Sequence, residues 1–159
     1  MHPLPQADII PASPVSVIRV WFKVILKKCM KTLKAADIMT TNVVTVQKDV
    51  VLTDVITLLL RWQISALPVV DDDNHIIGIV SEIDLVNMTL DGNARDTTVE
   101  EVMTKNIVSF DPEASLAELV QSFSKNHLRR VPILNGRKVI GIVSRRDILR
   151  EMLHRYDRF

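Results

Sequence analysis

An internal repeat sets the terms for everything this chain can fold into. Residues 38–44 read Ile-Met-Thr-Thr-Asn-Val-Val, and residues 102–108 read Val-Met-Thr-Lys-Asn-Ile-Val, 64 positions later. Pro68 matches Pro132 at the same displacement. Ile77-Gly78-Ile79-Val80-Ser81 then matches Ile140-Gly141-Ile142-Val143-Ser144 at a displacement of 63, which Asp84 and Asp147 keep. The lost residue falls between Asp71-Asp72-Asp73-Asn74-His75 and the shorter Asn135-Gly136-Arg137-Lys138. Turns absorb deletions that strands and helices do not, so two copies of one small fold are implied.

Each copy predicts the same order of elements. A short apolar run (43–46; 107–110) precedes a helix with an apolar face, Leu52, Val55, Ile56, Leu59 and Leu60 in the first copy and Leu116, Leu119, Val120 and Phe123 in the second. Ser115-Leu116-Ala117-Glu118 is a capping box that marks the second of these helices. Two strands follow, 67–70 with 76–80 and 131–134 with 139–143, and the Asn135-Gly136 pair signals a hairpin. A last helix starts at Ser81 or Ser144. The expected fold class is α/β (α+β): two β-α-β-β-α repeats, residues 35–92 and 98–153, packed about a pseudo-two-fold axis. A unit of about 55 residues buries too little surface to stand alone. The two should pack together and leave a cleft on each side, where ligands usually sit.

Residues 1–34 form a separate extension. They hold Arg19, Lys23, Lys27, Lys28, Lys31 and Lys34 against Asp8 alone, while the remainder carries 14 basic and 18 acidic residues. The acidic balance of the body excludes a globally basic nucleic-acid binder. Ser13 and Pro14 suit a helix start. Ser16, Arg19, Lys23, Lys27, Lys31 and Lys34 then make one polar stripe, with Val17, Ile18, Trp21, Phe22, Val24 and Ile25 over most of the rest. Packing of this amphipathic helix on the body or on a second copy is favoured over contact of residues 14–34 with an anionic membrane surface. Met30 offers an alternative start. The stretch is too short and too interrupted by charge to span a bilayer, and its charges are misplaced for a secretory signal.

The best-kept segment is Gly-Ile-Val-Ser-x-x-Asp, at 78–84 and 141–147. A helix that begins at the serine presents backbone N–H groups to an anion, and the hydroxyl adds a donor. The aspartate three residues on could accept both hydroxyls of a ribose diol. Ser-x-x-Asp is equally a capping pattern, and capping alone would account for both residues. Ser65-Ala66-Leu67-Pro68 and Arg129-Arg130-Val131-Pro132 place an apolar residue and a proline opposite each motif.

With these motifs in hand, both copies resemble cystathionine-beta-synthase-type (CBS) domains over residues 35–153, and the pair resembles a Bateman module. The resemblance implies a regulatory module, not an enzyme, that binds an adenosine-containing ligand (AMP, ADP, ATP, S-adenosylmethionine or NAD) and pairs into a homodimer. It implies that Asp84 and Asp147 hold ribose and that Ser81 and Ser144 contact phosphate or ribose. Thr40, Val43, Leu67 and Pro68, with Thr104, Ile107, Val131 and Pro132, would enclose the base. Arg129, Arg130, Arg145 and Arg146 form a natural phosphate clamp in the second copy. The first copy has Ser65-Ala66 and Glu82 in those places, so a phosphate-accepting site in the second and a nucleoside-preferring site in the first are expected.

Little points to catalysis. His2, His75, His127 and His154 show no metal spacing, and no nucleophile-base arrangement is visible. Asp71-Asp72-Asp73 reads as a solvated turn and no metal is expected. The single cysteine, Cys29, beside Lys27, Lys28 and Lys31, reads as inert and suits a reducing, cytoplasmic setting. With no effector domain visible, output through an unidentified partner in trans is expected.

Overall fold

A computed structural model of the chain describes residues 32–90 and 96–156. The first repeat comprises α1 (Ala35–Ile38), β1 (Val46–Gln47), α2 (Leu52–Trp62), β2 (Ala66–Val70), β3 (Ile76–Ser81) and α3 (Glu82–Leu90). The second comprises α4 (Val99–Val102), α5 (Leu116–Lys125), β4 (Arg130–Asn135), β5 (Lys138–Ser144) and α6 (Arg145–Tyr156). The expected helix over 14–34 lies almost wholly outside the described residues.

The paired strands follow from their alternation. β2 runs antiparallel to β3 with Pro68 opposite Ile79, and β4 runs antiparallel to β5 with Pro132 opposite Ile142. The register shifts between Val69 and Val70, and again between Ile133 and Leu134. The second hairpin closes on a two-residue turn between Asn135 and Lys138, with Gly136 at φ 63°. That left-handed position is what the glycine supplies.

Leu52, Val55, Leu59, Leu67, Val69 and Val80 form one core, and Leu116, Leu119, Phe123, Val131, Ile133 and Val143 form the other. Leu60, expected on the apolar face of α2, is instead 74% exposed, because the packed stripe ends at Leu59 and the chain turns at Gln63.

Two features differ from the sequence expectation. The first apolar run is strand only at Val46–Gln47, parallel to β2, and its counterpart is reduced to a single bridge of Phe110 with Ile133. The residues ahead of these points are committed elsewhere, since each repeat lends its opening segment to the other. Val99 and Met103 are buried in the core of the first repeat, and Leu33 and Ala35 in that of the second. The exchange is hydrogen-bonded symmetrically. Leu52 N donates to Thr97 O and Val99 N to Val50 O, while Leu116 N donates to Leu33 O and Ala35 N to Ala114 O. Thr40 then pairs with Ile142, and Thr104 with Ile79, at the outer edges of β5 and β3.

Candidate functional site

Both Gly-x-x-Ser-x-x-Asp motifs sit where a strand hands over to a helix. At the head of α3, Asp84 Oδ2 accepts from Ser81 N at 2.8 Å and from Ser81 Oγ at 2.6 Å. At the head of α6, Asp147 Oδ2 accepts from Ser144 N and Oγ at the same two distances. One oxygen of each carboxylate therefore caps its own helix, and each serine hydroxyl spends its proton on that carboxylate. The second oxygens differ. Asp147 Oδ1 accepts from Arg150 Nη1 at 2.9 Å, whereas Asp84 Oδ1 has no hydrogen-bond partner among the described residues.

The motif glycines have a structural partner. A methyl group on Gly78 would lie 2.8 Å from Cγ of Met103, and one on Gly141 would lie 2.8 Å from Cγ of Met39. The close approach that these glycines permit is to the methionine lent by the other repeat.

The helix heads converge on the junction between the repeats. Glu82 N donates to Ser65 O at 3.1 Å, and Arg145 N to Arg129 O at 3.0 Å, so the two junction loops are built alike. Their side chains are not alike. Arg130, half-buried, reaches across the boundary and its Nη2 donates to Ser65 Oγ at 2.5 Å. Burial pulls the Arg130 guanidinium below its ordinary pKa, Glu82 and Asp147 pull it back up, and Arg129 and Arg146 push it down. Those four charges thus lie close enough to act on Arg130, and the seam holds three guanidinium groups against two carboxylates. Arg145 turns elsewhere, donating through Nε to Leu128 O at 2.7 Å.

The remaining expected residues are distributed unevenly. Pro68 and Pro132 are buried in the strand pairs beside Ile79 and Ile142. Leu67 and Val131 have no exposed surface and belong to the two cores. Strand alternation is the reason, since each points opposite to its neighbouring proline. Val43 and Ile107 are half-buried. Thr40 and Thr104 are exposed and change sides, because Thr40 stands by the strand that leads to Ser144, and Thr104 by the strand that leads to Ser81. Each threonine therefore stands beside the strand that leads to the Ser-x-x-Asp motif of the other repeat. The exchange of opening segments left no local pattern in the sequence.

The turn of the first hairpin gathers one ligand-capable atom each from Asp71, Asp73 and His75 within 4.8 Å. Asp71 Oδ1 accepts from the N–H groups of Asp73 and His75, and the His75 bond is the main cause of its lowered pKa. The Arg137 charge from the second hairpin acts in the same direction, and Arg137 O accepts from Ile76 N at 2.9 Å. The cluster thus ties its own turn and faces the basic turn of the other repeat.

These features define a class: two copies of one α+β unit, locked by exchanged ends, with a charged seam where their capped helices meet. The chain belongs to the CBS domain family, whose model matches residues 35–91 and 99–154. The CBS domain-containing protein YhcV of Bacillus subtilis is 31% identical over 113 residues, which cover 70% of this chain and 80% of YhcV. Homoserine O-acetyltransferase of Methanosalsum zhilinae is 30% identical over 120 residues, 75% of this chain and 24% of that protein. The chain spans less than half the length of this and several other curated relatives. Among solved structures, the CBS domain pair of protein MJ0100, in complex with 5′-methylthioadenosine and S-adenosylmethionine, matches with 26% identity and a TM-score of 0.70. That match covers 77% of this chain and 98% of the other. CBS domain pairs are regulatory modules. Among the described residues, no helix is long and apolar enough to cross a membrane.

Proposed function

We propose that this chain is a regulatory module that binds an adenosine-containing ligand where its repeats meet and transmits binding to a partner protein in trans. The observation that carries this reading is the seam itself. Arg130 bridges the two repeats through Ser65, with Arg129 and Arg146 near it. Three guanidinium groups, one of them half-buried, suit an anionic group that touches both repeats at once. The adenosine ligands of the MJ0100 pair support the ligand class. AMP, ADP and ATP fit the guanidinium cluster best, with S-adenosylmethionine and NAD as the other members of the class.

The two clefts are unequal in this reading. Asp84 keeps one oxygen for a ribose hydroxyl and has Glu82 beside it, which disfavours phosphate. Asp147 shares its outer oxygen with Arg150 and has Arg145 and Arg146 on the same helix turn. The first cleft, with Ser81, Asp84 and Thr104, then takes the nucleoside end of a ligand. The second, with Ser144, Asp147 and Thr40, takes a phosphate-bearing one. Thermal unfolding with AMP, ATP, S-adenosylmethionine and NADH tests the proposal. A midpoint that climbs with concentration of at least one of them is expected. No shift with any of the four overturns it.

A second reading, a ligand-free interaction module, is favoured by exposed apolar side chains on α2 and α3, where Leu60, Ile83 and Val86 are 74%, 62% and 54% exposed. We assign this face to pairing of two copies into a homodimer. Sedimentation of the chain and of Ile83→Lys separates the readings, since dimerisation without any ligand response favours the second.

A further inference from the structure

The two repeats part company at a pair of matched positions on the seam. Ser65 and Arg129 are equivalent, since each accepts through its carbonyl from the first N–H of its own repeat's last helix, at 3.1 and 3.0 Å. Ala66 and Arg130 are equivalent too, standing opposite Ser81 and Ser144 at the starts of β2 and β4. One copy thus carries a hydroxyl and a methyl group where the other carries two guanidinium groups.

A half-buried guanidinium has to place its donors. Arg130 Nη2 donates to Ser65 Oγ at 2.5 Å, and neither Nε nor Nη1 donates to any described residue. Those two nitrogens are open to solvent, because among the described residues no buried side-chain nitrogen lacks a partner. A guanidinium presents two forks of parallel N–H groups, Nε with Nη2 and Nη1 with Nη2. Ser65 takes one hydrogen of Nη2, so one fork stays whole. In this pose Arg130 keeps its bond to Ser65 and still has a fork for two oxygens of one anion.

Charge alone would not centre this side chain. Glu82 of the first repeat and Asp147 of the second both attract it, while Arg129 and Arg146 repel it. The Ser65 hydroxyl is its one hydrogen-bond partner among the described residues, and so decides where it rests. A long side chain that is already held avoids the entropy of being ordered when a ligand arrives. An arginine at 65, to match Arg129, would instead set a like charge against Arg130 and offer its side chain no acceptor.

We propose that Ser65 is a positioning residue for the anion subsite of the other repeat: its hydroxyl holds Arg130 across the seam with one fork free for a phosphate group. This rests on the adenosine-ligand reading above, and it makes the phosphate subsite a joint property of the two repeats.

Dissociation constants for AMP and for adenosine test this. Ser65→Ala should weaken AMP by about three- to tenfold, the effect of one side chain left to be ordered, and leave adenosine unchanged. Ser65→Thr keeps the hydroxyl and should retain the parent affinity. Ser65→Val matches threonine in shape without the hydroxyl, should behave as Ser65→Ala, and serves in its place if the alanine variant does not fold. In an Arg130→Ala background, Ser65→Ala should weaken AMP no further, because the serine acts through that guanidinium. Equal weakening of AMP and adenosine marks a structural role and overturns the proposal. Tighter AMP binding in Ser65→Ala overturns it too, since the contact would then be a latch that the ligand has to break. Unchanged AMP binding in that variant overturns it and leaves the adenosine reading standing, whereas a parent that binds neither ligand removes both.

Discussion

At the scale of single residues, the repeated motif is first a piece of joinery. Gly78 and Gly141 are small because Met103 and Met39 lie on them, each from the other repeat. Gly78→Ala should therefore lower stability by roughly 1–3 kcal/mol through overpacking. In a Met103→Ala background that penalty should largely vanish, while Met39→Ala should leave it intact; urea denaturation of the double-mutant cycles reads both. The aspartates act twice. Each ties the N–H and hydroxyl of its own serine, so Asp84→Ala and Asp147→Ala should each cost about 0.5–2 kcal/mol without any ligand. Ligand dissociation constants, not melting shifts alone, are then needed to separate capping from binding. With AMP, Asp147→Ala should weaken affinity more than Asp84→Ala, and equal losses would remove the proposed inequality of the clefts.

At the scale of elements, the helix starts are where pH enters. Glu118 is held below the ordinary carboxyl range by the hydroxyl and backbone N–H of Ser115, and Glu101 by the backbone N–H and hydroxyl of Thr98. A carboxyl with a depressed folded-state pKa contributes stability that is present above its unfolded value. That contribution is lost as pH falls through the lowered folded value. Midpoints measured from about pH 6 down to about pH 3 should fall. Glu118→Gln should start lower at pH 6 and fall less steeply. A parallel acid limb in the variant would show that this capping box does not contribute. Ser115-x-x-Glu118 was legible in advance because its signal is local. The contraction of the first strands was not, since an apolar run does not disclose that the residues just before it pair with a different sheet.

For the whole molecule, the exchange of ends makes each repeat depend on the other. A fragment of residues 96–156 lacks Leu33 and Ala35, which complete its core, and should show no cooperative unfolding transition, whereas the intact chain should unfold in one. Arg130→Ala should leave both cores intact, weaken AMP binding by about tenfold or more, and have a smaller effect on adenosine, because a guanidinium serves the phosphate and not the sugar. Equal effects on the two ligands would place Arg130 outside the phosphate site. By itself, the sequence determined that there are two copies, how each is ordered, where the hairpins turn and which serines and aspartates stand at helix heads. All of these follow from periodicity, caps and turn chemistry within a few residues. Only the tertiary structure decided that Thr40 and Thr104 change partners, that Leu67 and Val131 face the cores, and that the glycines receive methionines. The exchanges depend on contacts 25 residues apart (Gly78 with Met103, Ile79 with Thr104) or 102 residues apart (Gly141 with Met39, Ile142 with Thr40), and two copies with the same order of elements leave a sequence no means of stating which copy a given end completes.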